Sequence, residues 1–195
     1  GGCGSEWAGE VSGLAEEAGV QGFVKARPES AFALFHPHDG PAAAAFARGV
    51  GAPALVFPRQ VIRCGALLSD LPVGDRVSPI VAAAAALGGS FRELFVETPD
   101  TNDGKALAAL ARPLEPHLRR GLAGAGVRLD DPAGAERLHV FFLGGAACHV
   151  GITRVGASSP WPMGIPRLRM PGGAPSRSTL KLAEALAFFL GEERL

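Results

Sequence analysis

The chain has 195 residues, 47% of them hydrophobic and 19% charged, and its net charge is zero. It is too apolar for a disordered segment and long enough for one large or two small domains, and the balanced charge excludes a globally basic nucleic-acid coat. Three cysteines (Cys3, Cys64, Cys148), odd in number and widely spaced, exclude a disulfide framework and point to a reducing cytoplasm.

Taken in chain order, Glu6 to Ala18 predicts an amphipathic helix, with Trp7, Val11, Leu14 and Ala18 at helical steps and Gly19 as its end. Gly22 to Ala26 and Ser30 to Phe35 predict two strands around an Arg27-Pro28-Glu29 turn. Ala42 to Arg48 predicts a second helix, ended by Gly49 and Gly51, and Val56 to Leu67 a third strand. These elements make an α/β layer compatible with a ferredoxin-like fold whose first strand is missing or cut short. A boundary is expected between Ser69 and Asp75, where Asp, Pro and Gly cluster.

Ser78-Pro79 then opens an alanine-rich helix to Leu87, and Phe91 to Glu97 reads as a strand. Asp100 to Asn102 turns the chain and caps a helix from Asp103 to Ala111; Pro113 and Pro116 introduce a further helix to Ala123. Leu138 to Leu143 and Cys148 to Val155 form a strand pair around Gly144-Gly145. Phe141 and Phe142 lie in so apolar a run that core is the better reading than base stacking. Arg119 and Arg120 are assigned to the end of their helix and to solvent. Pattern alone stops at α+β.

Residues 1–57 carry a net charge of minus three, 58–150 ten charges of each sign, and 151–195 plus three. A nucleic-acid face therefore belongs toward the C-terminal end. Between Arg137 and Ala183 there is no Asp or Glu, against Arg137, Arg154, Arg167, Arg169, Arg177 and Lys181. Five prolines from Pro160 to Pro175 forbid a regular helix or central strand there. Two readings stand: a stiff phosphate track, or a plain linker with solvated charges. Trp161, between two prolines, is a plug on the core in preference to a stacking platform. Beyond Pro175 helical spacing returns through Leu182, Leu186 and Phe189, with Ser176 or Ser178 as N-cap and Arg177 and Lys181 one turn apart near the start.

The run SPWPMGIPRLRMPGGAPSRSTLKLAEA, with FPRQVIRCGALLSDLPVGDRVSPIV, FVETPDTND and LHVFFLGGAACHVGITRV upstream, closely resembles the RlmM family of bacterial large-subunit rRNA cytidine ribose 2'-O-methyltransferases. The resemblance covers nearly the whole chain and is weakest over roughly the first 55 residues. It implies an α+β chain: a ferredoxin-like module over 1–70, a THUMP RNA-binding domain over 71–165, a proline-rich linker over 166–175, and the start of a Rossmann-like methyltransferase domain over 176–195. The motif at Ser176, Arg177, Lys181, Leu182 and Glu184 is similar to the opening motif of that catalytic half, which makes Lys181 the first member of a Lys-Asp-Lys-Glu catalytic set. Arg154, Arg167, Arg169 and Arg177 are the candidate RNA contacts, large-subunit ribosomal RNA is the implied partner, and S-adenosylmethionine is the implied methyl donor.

The chain stops just inside that catalytic half. Its glycine pairs, Gly88-Gly89, Gly144-Gly145 and Gly172-Gly173, do not make a G-x-G-x-x-G between a strand and a helix. The expectation is a fragment, inactive by itself and binding no cofactor. A stand-alone RNA-binding THUMP module without catalysis is the alternative, and a protein-interaction domain with an Arg-rich tail for an acidic partner is a third. No metal is expected: C-x-x-C is absent, and His36 and His38 share a strand face without a third ligand. No membrane span is expected, and the Gly-Gly-Cys-Gly start carries no signal-peptide pattern.

Overall fold

The computed structural model describes residues 4–50, 55–166, 168 and 178–190. Helix α1 (Gly4–Glu17) ends where Gly19 takes φ +67; the Val20 amide then reaches the Ala15 carbonyl at 2.7 Å and the Gly19 amide the Glu16 carbonyl at 2.9 Å. Those two bonds satisfy carbonyls that the helix leaves open, which is why a glycine stands there. Strands β1 (Gly22–Ala26) and β2 (Ala33–Pro37) pair antiparallel, and α2 (Gly40–Gly49) follows. The second strand starts three residues later than expected. Glu29 and Ala31 both sit at positive φ, and the Ser30 hydroxyl bonds the Arg27 and Phe32 carbonyls, so the turn extends through residue 32.

Strand β3 is shorter than expected, Arg63–Leu68, and its partner is β6 in a different sheet from β1 and β2. The stretch before it makes no ladder. Pro58 has no amide to offer, and the Val56 and Phe57 amides bond the Glu10 carboxylate of α1 at 2.7 and 3.0 Å. The second sheet has the order β3-β6-β5-β4, from β4 (Leu94–Glu97), β5 (Glu136–Gly144) and β6 (Ala147–Arg154). β4 runs parallel to β5, and the other neighbours are antiparallel.

Helices α3 (Val77–Ala85) and α4 (Asn102–Gly124) cover one face of this sheet. The Asp75 carboxylate accepts from the Ser78 amide at 2.9 Å in the first turn of α3, and the Thr101 hydroxyl accepts from the Gly104 amide at 3.0 Å at the start of α4. A β-carbon on Gly121 would come within 2.8 Å of Val81 Cγ2, so only glycine lets the two helices approach this closely. The two helices expected on either side of Pro113 are one. Both prolines face solvent, as do Ala109 and Arg112, whose carbonyls lose their intrahelical partners and remain open to water.

Alternation along the strands separates two faces. Leu94, Leu138, Val140, Phe142, Cys148, Val150 and Ile152 join Ile80, Ala84, Leu118 and Leu122 in the core beneath the helices. The opposite face presents Phe95, Glu97, Arg137, His139, Phe141 and Thr153. It is covered by the N-terminal layer and the connecting stretch: Phe32 meets Phe141 edge-on at 5.6 Å, and Gln60 bonds Glu97. Phe142 is fully buried in the core as expected, whereas Phe141 lies outside it, half-buried on the other face. After β6 come a 3-10 turn, Pro162–Gly164, and later helix α5 (Ser178–Leu190).

Candidate functional site

Lys181 is exposed on the first turn of α5, and Arg154 is exposed as the last residue of β6. Arg167, Arg169 and Arg177 lie outside the described residues, as does Ser176. Next to Lys181, Leu182 is 62% exposed and Leu186, one turn on, is 38% exposed. Two leucines in water at helical spacing form an apolar stripe without a cover among the described residues.

A cleft of about 510 Å³ opens where α5 meets the rest of the chain. Lys105 and Arg112 reach it from α4, Arg59 from the stretch ahead of β3, Met163 from the 3-10 turn, Asp100 from the loop after β4, and Glu184 from α5. The i, i+7 spacing of Lys105 and Arg112 puts them two turns apart on one helix face. None of the three cations has an ion-pair partner among the described residues. A second cleft, beside Arg119 and Arg128, differs in this respect. There Arg119 pairs with Asp130 at 2.9 Å and Glu115 at 3.0 Å, and Arg128 pairs with Asp131 at 3.5 Å. Arg119 thus clamps side chains rather than capping the end of its helix. Arg120 bonds His117.

The three cations of this cleft lie outside the basic segment singled out in the sequence. Arg59, Lys105 and Arg112 sit in the stretch where charges balance, so no local excess marks them. The seven-residue spacing on α4 was the available signal.

Beneath the cleft, on the face of the sheet away from the helices, is a buried polar chain. Glu97 is 2% and His139 1% exposed. Glu97 Oε2 lies 2.7 Å from His139 Nδ1, and His139 Nε2 lies 2.8 Å from Thr153 Oγ1. The Ser158 hydroxyl bonds Thr153, Arg137 reaches Ser158, and Arg137 closes on Glu93 at 2.6 Å. Burial pushes the Glu97 carboxyl up, but hydrogen bonds and charge from His139, with the Met163 amide and Gln60, outweigh it and hold the carboxyl below its ordinary range. An ionised carboxylate only accepts, so His139 Nδ1 donates. The order carboxylate, imidazole, hydroxyl is that of a nucleophilic triad. All three groups are sealed from solvent, however, and Thr153 Oγ1 faces Ser158 rather than a cavity, so this chain holds structure instead of activating a nucleophile.

No group of three His, Cys, Asp or Glu able to hold a metal is found among the described residues; His36 instead stacks on Phe23 at 5.0 Å. Burial pushes the Cys148 thiol up to about 12, which leaves it inert. Trp161 is half-buried, nearer a plug than a free stacking surface. S-adenosylmethionine needs a glycine turn leading from a strand into a helix. Gly144-Gly145 joins two strands instead, and Gly88-Gly89 follows a helix. The described residues do not fit that cofactor. No described helix is long and apolar enough to cross a membrane.

Fold and site together define a mixed α+β chain whose last helix shows water a lysine and an apolar stripe. Residues 1–62 match the RlmM ferredoxin-like domain, and residues 75–154 match the model described as ribosomal RNA large subunit methyltransferase M, N-terminal. The chain belongs to the RlmM family. It is 43% identical over 185 residues to ribosomal RNA large subunit methyltransferase M of Methylococcus capsulatus, covering 95% of this chain and 52% of that protein. The Shewanella frigidimarina protein of that name is 45% identical over 189 residues, with 95% and 51% covered, and the Thauera aminoaromatica protein 37% over 187, with 96% and 51%. The chain thus spans about half the length of the curated relatives it matches. The crystal structure of TrmN from Thermus thermophilus superimposes on 77% of this chain and 42% of its own, at 18% identity and a TM-score of 0.47, a likeness too distant to bear on function.

Proposed function

We propose that this chain is the RNA-recognition half of an S-adenosylmethionine-dependent methyltransferase that acts on the ribose 2'-hydroxyl of a cytidine in large-subunit rRNA, in the cytoplasm. The division we propose is a ferredoxin-like module over 1–70, a THUMP domain over 71–165, a linker over 166–175 and the opening of the catalytic domain over 176–195, with β3 of the first stretch completing the sheet of the second. The observation that carries this proposal is α5 itself: Lys181 stands in solvent beside the uncovered Leu182 and Leu186, as the first helix of a further domain would leave them. Family membership at half length supports the same conclusion.

RNA would be held by its phosphates, through Arg59, Lys105 and Arg112 in the cleft and through Arg154, Arg167, Arg169 and Arg177 along the exit segment. Lys181 would face the ribose 2'-hydroxyl once the catalytic half surrounds it.

The test is direct. The 195-residue chain should bind a fluorescein-labelled fragment of large-subunit rRNA with affinity that falls as salt rises, and should give no calorimetric signal with S-adenosylmethionine. A chain indifferent to RNA at low salt would sink the proposal.

A further inference from the structure

We propose that Glu97 is a positioning residue: its buried carboxylate clamps the segment that leaves the sheet, and so sets where α5 holds Lys181 relative to bound RNA. This rests on the function proposed above and extends it to the joint between recognition and chemistry.

The two oxygens of Glu97 do different things. Oε2 takes His139 Nδ1 at 2.7 Å and is thereby anchored in the sheet. Oε1 takes Gln60 Nε2 at 3.1 Å and the backbone amide of Met163, two segments that are not part of the sheet. The carboxylate ties the stretch ahead of β3 and the exit turn after β6 to the end of β4.

The exit turn is shaped for this hold. Met163 sits at φ +60, a region that a side chain disfavours, and its amide points to Glu97. Gly164 follows at φ +64, and a β-carbon there would come within 2.5 Å of Arg59 Cβ and 3.0 Å of the Arg59 carbonyl oxygen. The turn is thus laid directly on residues 59 and 60. Met163 and Ile165 then line the same cleft as Glu184 of α5, so the clamped segment and the helix bearing Lys181 form two walls of one cleft. Releasing Met163 would loosen that wall of the cleft while leaving the helix-covered core on the other face of the sheet intact.

Two experiments separate this proposal from the one beneath it. In the full-length polypeptide, Glu97→Gln should lower kcat for ribose methylation by about ten- to a hundredfold, keep the RNA Kd within about twofold, and spread methylation to nucleotides beside the target. Val140→Ala, a core change on the opposite face, should lower Tm without moving the methylated position. Gly164→Ala, which crowds Arg59 and leaves the carboxylate in place, should reproduce the spread and stands in if Glu97→Gln does not fold. Unchanged kcat and an unchanged methylated position in Glu97→Gln would make Glu97 merely structural and overturn the proposal. Within the 195-residue chain, amide exchange read by NMR tests the clamp without any activity. The Met163 amide should exchange about tenfold faster or more in Glu97→Gln, with Val140 unaffected. Equal exchange at Met163 would overturn the clamp even if the RNA reading holds. Faster exchange there, with a full-length enzyme that methylates no RNA, would sustain the clamp and reject the reading.

Discussion

Lys105 and Arg112 stand two turns apart on α4 and line one cleft, whose far wall is Glu184 of α5. Neither pairs with an acid among the described residues, and Arg59 joins them from another segment. Three cations without an ion-pair partner among the described residues, beside Asp100 and Glu184, line this cleft, a local feature that the chain's zero net charge conceals.

Removing them should weaken RNA binding evenly across sequences. Each lost phosphate contact should shallow the slope of log K against log salt by roughly 0.7 to 0.9. The triple change Arg59→Ala, Lys105→Ala, Arg112→Ala is expected to alter the slope by about two units, and Arg167→Ala with Arg169→Ala by one to two. Anisotropy titrations over a salt series would check this, and an unaltered slope would remove those residues from the interface.

Glu97 makes stability acid-sensitive. Its folded pKa lies below its ordinary value, so its contribution is complete above the unfolded pKa of about 4.3 and is lost as pH falls through the folded value. Denaturant midpoints should fall below about pH 4.5 in the native chain, and the fall should be smaller in Glu97→Gln, which has no carboxyl to protonate. Identical pH profiles for the two proteins would contradict the assignment.

Lys181→Ala should leave the melting temperature of this chain nearly unchanged, within about 0.5 kcal/mol, since the side chain is exposed. In the full-length enzyme the same change should lower methyl transfer by orders of magnitude at nearly constant RNA affinity, the mark of a group acting in the transition state. Retained turnover would make Lys181 one more phosphate contact.

Pro113 and Pro116 interrupt an exposed stretch of α4. Pro116→Ala restores an amide for the Arg112 carbonyl and should stabilise the chain by on the order of 1–2 kcal/mol, the helix penalty of proline less its restraint on the unfolded chain. Phe142→Ala should instead cost about 3–5 kcal/mol, because the ring is fully buried. Thermal melts of the two variants should move in opposite directions.

What the sequence determined by itself is what local chemistry decides. Periodicity placed most of the described helices and strands of the α+β chain to within a few residues, because burial on one face repeats at 3.6 or 2 positions whatever the neighbours are. The long motif around GIPRL and APSRSTLKL sufficed for the family and for attention to Lys181. Tertiary structure decided the rest. Pro113 looked like a boundary, yet its face is solvent and the helix runs on. The strand at Arg63–Leu68 read as part of the first layer, yet β6 takes it, because pairing is settled by which edge lies open rather than by chain order. Lys105 and Arg112 carried only a seven-residue spacing, Arg59 carried no signal, and the three came to line one cleft only in the folded chain. Glu97, His139, Gln60 and Met163 come from four segments, and no motif along the chain links them. A buried carboxylate needs donors on all sides, and only the folded chain brings those donors together.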